Sequence, residues 1–344
     1  MAMEEPSTLF SSLPNDIVLN VLARVPRRYH PILSCVSKKL RSLVRSSELH
    51  KTRSLLGKDC FYVCFKEFVY PSTTNHYWFT LTENRRLVSI PSPSPPEPYA
   101  AALMVGPEIY FVAGSFIHPS RNMWILDPLS GKLRQGPSRL VATLSAAVGL
   151  VDDRIYVFGG GREDDEIQAQ VFDLKTQTWQ VATNPSVAVQ SVGMSVVSPS
   201  LDRKIYARNH LGAVMVYDPR DGQCDFIRIP DNDFYSGDLC VIDNVIYMHY
   251  LGVGLMWYNS KTNEWRVVHG LELNGMYWKL SMVEYNGKLA YLWHKEDQME
   301  IWCTMILLYR SGVEIHGQVE WSNCVLSDVP RHYNEIKHYL GRTD

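Results

Sequence analysis

The chain repeats itself, and the repeat limits what it can fold into. Its clearest copy runs Ile155-Tyr156-Val157-Phe158-Gly159-Gly160 and then, past a short acidic gap, Val171-Phe172-Asp173-Leu174-Lys175-Thr176-Gln177-Thr178-Trp179. An apolar run ends in paired glycines; a second leads into Asp-x-x-Thr, a turn and a tryptophan. β-Branched and aromatic residues favour a pleated surface, while Gly, Asp and Thr mark its reversals. The unit therefore reads as strand, loop, strand, tight turn, strand. One such unit cannot bury both faces of a small sheet, so copies must pack on one another.

The copies are present. A tyrosine after an aliphatic residue returns at Tyr110, Tyr156, Tyr206, Tyr247 and, in looser form, Tyr291, at steps of 46, 50, 41 and 44 residues. The aspartate returns at Asp127, Asp173 and Asp218, with Asn259 in its place once. Trp179 is matched by Trp265 and Trp321, with Cys224 and Leu133 as weaker substitutes. A fainter copy, Phe61 to Phe65 then His76 to Leu81, precedes them. Six units of this period are the mark of radially repeated four-stranded blades.

These residues resemble the kelch repeat, from about Gly57 to Pro330. Only the third unit keeps both glycines; Ala113-Gly114, Asn209-His210, Tyr250-Leu251 and His294-Lys295 stand there in others. WD40 repeats have a similar period, but no Gly-His…Trp-Asp pattern is present. The glycines read as bulges and turns, without chemistry. Blades two to six are expected over about 99–140, 141–188, 189–232, 233–274 and 275–330. Pro91 to Pro96, rich in Pro and Ser, reads as a rigid loop between blades. Blade one lacks an innermost strand before Cys60. The closing strand is expected from the other end of the chain, Ile336 to Leu340 lying beside Phe61 to Phe65.

The first 58 residues differ from the rest. They hold ten basic and four acidic side chains, a balance of +6, so the remainder carries −8 within a net charge of −2. No aromatics interleave these basic residues, so they read as a solvated face or a dock for an acidic partner and not as a nucleic-acid surface. Residues 13–26 place Leu13, Ile17, Val21 with Leu22, and Val25 at helical spacing. Pro14 suits a first turn, Asp16 favours the positive end of the helix dipole, and Pro26 ends the helix. A short turn at Tyr29-His30-Pro31 leads to Ile32 to Val36, and Ser37 is an N-cap for a helix carrying Leu40, Leu43 and Val44. A last turn lies around Glu48 and Leu49. Three short helices make a poor autonomous core, so part of the apolar stripe is expected to find a partner.

Leu13-Pro14-x-Asp16, Ala23-Arg24-Val25-Pro26 and Val36-Ser37-Lys38-Lys39-Leu40-Arg41-Ser42-Leu43-Val44 resemble the F-box, and the whole chain resembles a plant-type F-box/kelch-repeat protein. The expected fold is mainly β: a six-bladed kelch-type β-propeller over 57–344 preceded by a small three-helix F-box over 9–56. The resemblance implies docking on a Skp-type adaptor, and through it a cullin–RING ligase, by Leu13, Pro14, Asp16, Ile17, Leu22, Val25, Pro26, Val36, Leu40 and Leu43, the apolar ones mostly facing the adaptor or the small internal core. It implies that the propeller holds an unidentified substrate protein for ubiquitination, supplying effective concentration and orientation without bond-making.

Strand alternation gathers the second-to-third-strand loops and the blade-to-blade loops on one face. The residues expected there are Phe116, His118, Arg121, Arg139, Arg162, Arg208, His210, Tyr235, Tyr250, Tyr277 and His294. Aromatic and Arg side chains are common interface anchors, and an Arg fork pairs with carboxylate or phosphate. Ordinary loop composition is the alternative. Tight turns such as Leu129-Ser130-Gly131 and Lys261-Thr262-Asn263 take the other face.

No catalytic motif is present, neither Gly-x-Ser-x-Gly, a phosphate loop nor His-Glu-x-x-His. Glu163 to Glu166 lacks the Gly and terminal Glu of a calcium loop and reads as a solvated loop. The seven cysteines are scattered, with no Cys-x-x-Cys pair or zinc spacing, so neither metal nor cofactor is expected. Cys60 and Cys64 share a strand face and read as buried thiols. The start lacks a signal-peptide pattern, and Ile301 to Tyr309 is too short to span a bilayer, so the expected location is cytoplasm or nucleus, away from membranes. Two other function classes stay open. One is a propeller enzyme or small-molecule receptor with a helical extension; the other is an F-box subunit outside ubiquitin ligation.

Overall fold

The computed structural model describes residues 13–340 apart from 59, 70–72, 91, 94–99, 113–118, 129, 145, 161–165, 188–196, 209–212, 230–235, 251, 273–279, 296–298 and 330–332. Pro14, extended at ψ 147°, precedes α1 (Asn15–Arg24), which has Asp16 in its first turn and Arg24 in its last, each charge favoured by the dipole. Val25 is extended because Pro26 follows it. A 3-10 turn (Arg27–Tyr29) leads directly into α2 (His30–Val36), so the short turn expected at 29–31 is already helical, with Pro31 in the first turn, where no N–H is needed. Ser37 then leaves the helical region, and its hydroxyl accepts from the Leu40 N–H at 3.1 Å, capping α3 (Lys38–Val44). A fourth helix, α4 (Ser47–Leu55), replaces the last turn expected around Glu48. It exists because Leu49, 1% exposed, seals the core of Val18, Leu22, Ala23 and Val44.

The strands form six blades, as the repeat implied. Blade one contains β1 (Tyr62–Val69), β2 (Thr73–Leu81) and β3 (Leu87–Ile90). Blade two is β4 (Ala101–Val105), β5 (Glu108–Val112), β6 (Met123–Asp127) and β7 (Lys132–Gln135). Blade three is β8 (Ala147–Val151), β9 (Arg154–Phe158), β10 (Ala169–Asp173) and β11 (Thr178–Val181). Next come β12 (Val197–Ser198) and blade four, β13 (Ser200–Leu201), β14 (Lys204–Arg208), β15 (Ala213–Tyr217) and β16 (Cys224–Arg228). Blade five is β17 (Ser236–Ile242), β18 (Val245–Tyr250), β19 (Gly254–Asn259) and β20 (Glu264–Val267). Blade six is β21 (Leu280–Tyr285), β22 (Lys288–Lys295), β23 (Glu300–Ser311) and β24 (Glu314–Leu326).

The ring is closed by β25 (Tyr333–Leu340), antiparallel to β1 with Tyr62 opposite Leu340 and Phe65 opposite Ile336. That is the strand expected from the C-terminal segment, begun three residues earlier. Closure removes an open sheet edge. The innermost strand of blade four is split: β12 pairs in parallel with β8 of blade three, and after Pro199 the chain joins its own blade as β13. Pro lacks an N–H for a ladder, and the change of partner occurs there.

The core lies between blades rather than within them, in one cluster per seam. Phe172 and Trp179 of blade three pack on Tyr110 and Ile125 of blade two. The seam between blades one and six joins Phe61, Val63 and Phe65 to Ala290, Leu292 and Cys303. The recurring aspartate has a structural role. Asp173 Oδ1 accepts from the N–H groups of Lys175 and Thr176 at 2.9 and 3.1 Å; Asp218 and Asn259 cap their turns in the same way. Gly160 has φ +72°, and an added Cβ would lie 1.9 Å from the Leu144 carbonyl oxygen, so that position admits no side chain.

Candidate functional site

The helical unit presents apolar side chains that its own core does not use. The expected single stripe along α1 divides in two. Val18 and Leu22 point inward with Leu13 against them, whereas Ile17 and Val21 are 46% and 42% exposed. From α2, Ile32 and Val36 are 64% and 67% exposed. Pro14 and Asp16 are exposed as well, and Val25 and Pro26 are half-buried. Leu40 and Leu43 are half-buried against the helical core. Leu22, expected among the docking residues, is 2% exposed and therefore holds the unit together from inside. Val21, Ile32 and the exposed Tyr29 were absent from the expected docking set. Their signal is that they stay exposed after the internal core has taken its share.

Cations gather at the end of α1, where carbonyls lack helical partners. Arg53 Nη1 donates to the carbonyls of Ala23 and Val25, both at 2.9 Å, and Lys58 Nζ to that of Arg24 at 3.2 Å. His30, 1% exposed, lies 3.2 Å by Nε2 from the Leu22 carbonyl. Burial, with the Arg53 charge added, lowers its pKa to about 4, so the imidazole is neutral at pH 7 and donates through Nε2.

The chain enters β1 at the end of blade one that holds the β2–β3 turn, since Tyr62 pairs with Thr80 and Leu81 with Leu87. The helices therefore hang from the tight-turn face, and the loop face points away from them. Of the residues expected on the loop face, Arg121 is exposed, and Arg208 and His294 are half-buried. Phe116, His118, Arg162, His210, Tyr235 and Tyr277 lie outside the described residues, as do residues 163–165 of the acidic run.

Two expectations are corrected. Arg139 has 0% exposure; Nη1 donates to Thr143 Oγ1 at 2.7 Å and Nη2 to the Ser120 carbonyl. Its own carbonyl accepts from Arg121 Nε at 2.6 Å, so it ties the β5–β6 loop to the β7–β8 connection instead of facing solvent. Tyr250 is 9% exposed, because its ring enters the seam between blades four and five. On the opposite face, Ser130 and Thr262 are exposed, as expected.

Among the described residues, no three His, Cys, Asp or Glu side chains come together as metal ligands would, and no helix is long and apolar enough to cross a membrane. The described cleft, about 560 Å³, lies between blades four and five and is lined by Lys204, Tyr206, Ile227 and Tyr258; none of the expected site residues contributes to it.

Residues 60–326 match the family described as FKB95, Kelch-repeats domain, and residues 10–52 match the F-box domain family. Three Arabidopsis thaliana proteins with F-box/kelch-repeat names are similar along nearly their whole length. One is 62% identical over 100% of this chain and 99% of its own. The second is 47% identical over 98% and 94%, and the third 44% over 92% and 88%. With its helical unit, its six-bladed ring and these relatives, the chain belongs to the F-box/kelch-repeat family.

Proposed function

We propose that the protein is the non-catalytic substrate-recognition subunit of a Skp–cullin–F-box ubiquitin ligase. Residues 9–56 dock a Skp-type adaptor, and residues 57–344 hold a target protein for ubiquitination. The observation that carries this reading is the exposure of Ile17 and Val21, one turn apart on α1, and of Ile32 and Val36, one turn apart on α2. Exposed apolar patches rimmed by polar residues are interaction sites more often than accidents of packing. The adaptor and the target would occupy opposite faces of the ring, so both can bind at once. The reading goes with a reducing location, cytoplasm or nucleus, where the seven free cysteines remain thiols.

The test is co-purification with a Skp-type adaptor. Ile17→Asp and Val36→Asp, both at exposed positions, are expected to abolish binding with the melting temperature unchanged. Wild-type-like binding by the double variant would overturn the docking assignment.

A further inference from the structure

A single short connection, residues 56–61, joins the helical unit to the ring. It contains Gly57 at φ +62°, with nothing within 4 Å of the position a Cβ would take. Such a connection alone would let the two units swivel. The near end is anchored, since the Lys58 N–H donates to the Arg53 carbonyl at 2.9 Å and its ammonium reaches Arg24. The far end is held from the 3-10 turn. Arg27 Nη1 donates to Cys60 Sγ, and the guanidinium carbon lies 5.7 Å from the ring centroid of Tyr62. Cys60 and Tyr62 are buried at the start of β1. Asp127, at the end of β6 in the next blade, adds an attractive charge. One guanidinium thus engages the connection, blade one and the field of blade two.

We propose that Arg27 is a positioning residue that fixes the angle between the helical unit and the propeller, and so the place of the loop face relative to whatever docks on the helices. The functional part of this inference rests on the ligase reading above; the mechanical part does not. A planar guanidinium can lie over an aromatic ring while its fixed fork donates in its plane to sulfur, a preset geometry that a compact lysine ammonium lacks. Tyr62 and Cys60 stay buried in the seam between blades one and two, so swivelling would carry the guanidinium away from its ring and sulfur partners, and the locked orientation is favoured over a range of others.

The experiment places spin labels through non-cysteine chemistry at two exposed positions, Lys51 on α4 and Thr262 on the β19–β20 turn, in the full chain. The wild type is expected to give one narrow distance distribution. Arg27→Ala and Arg27→Lys should each at least double its width, with the melting temperature of the ring unchanged. Should Arg27→Ala not fold, Cys60→Ala, which removes the acceptor alone, is expected to broaden the distribution too. Distributions as narrow as wild type in Arg27→Lys and Cys60→Ala would overturn the lock.

A second arm uses the reconstituted adaptor–cullin–RING complex and reads which propeller lysines acquire ubiquitin. Arg27→Lys should spread modification over at least twice as many lysines at unchanged adaptor affinity. An unchanged lysine pattern beside a broadened distribution would remove the positioning role. Failure of the wild-type chain to bind adaptor would instead sink the ligase reading, leaving the lock to be judged by the distances.

Discussion

The indole nitrogen of Trp179 donates to the backbone carbonyl of Pro137 at 2.9 Å, across the seam between blades two and three. Trp265 repeats the contact with the Arg228 carbonyl at 3.1 Å, from blade five to blade four. The tryptophan of the outermost strand therefore pins the exit of the preceding blade. Trp179→Phe keeps most of the apolar contact and loses the donor, with an expected cost of about 1–2 kcal/mol. Trp179→Ala adds a cavity and should cost about 3–5 kcal/mol. Urea unfolding of both variants checks the order.

Closure by β25 depends on backbone pairing with β1 over Tyr62 to Glu67. Ending the chain at residue 332 removes one of four strands from blade one and exposes the β1 edge. The truncated protein is expected to melt well below the full chain and to self-associate on heating, since a bare strand edge recruits other chains. Calorimetry with light scattering reads both effects; equal melting would show that the ring closes without this strand.

Acid should weaken the fold earlier than carboxylate protonation would. His30 and His249 are buried, and burial lowers each imidazole from 6.5 to about 4. Between these values the unfolded chain binds protons that the folded chain refuses, so stability is full above about pH 6.5 and falls as pH drops to about 4. The loss is on the order of 3 kcal/mol per histidine at most. Asp173 and Asp218 are also shifted down, Asp173 by turn N–H groups and Asp218 by Arg220, so they too weaken the fold in acid, but at lower pH. Their contribution disappears only below the ordinary carboxylate range. Urea midpoints at pH 7.5 and 4.5 measure the slope, and His30→Gln should flatten it.

Arg139 and Arg208 should part company on mutation. Arg139→Ala removes the donor to the buried Thr143 hydroxyl and one donor to the Ser120 carbonyl, at an expected cost of about 1–3 kcal/mol in stability. Arg208→Ala, at a half-buried position, should weaken capture of an acidic target by about 1–3 kcal/mol. Ser130→Ala and Thr262→Ala on the opposite face should leave capture unaffected. Denaturation and pull-down of a cross-linked target measure the two properties separately.

What was legible before folding follows from local rules repeated in register. Strand propensity, Asp or Asn at four of the third-to-fourth-strand turns and the recurring tryptophan specify a four-stranded unit, and its period specifies how many are stacked. The Ser37 cap and the closing strand were also readable, since a cap is a matter of neighbouring residues and the edge beside β1 had only one strand-like segment left to fill it.

α4 was under-read because its helicity depends on Leu49 docking against α1, not on an apolar stripe of its own. Strand alternation places loops on a face, but exposure depends on what the loop folds over. Arg139 went inward because two segments of the open face needed a shared donor.

The sequence by itself determined the repeating unit, its sixfold count, the order of helices before ring and the chain end that closes it. These are written in residues a few places apart. Only the tertiary structure decided which face of α1 is spent on its own core, that Arg139 is buried, that blade four borrows an edge of blade three, and where Arg27 sits. Those outcomes join residues far apart in the chain, such as Arg27 with Cys60 or Trp179 with Pro137. Burial is a property of two surfaces meeting, and the periodicity of one element describes only the surface it brings.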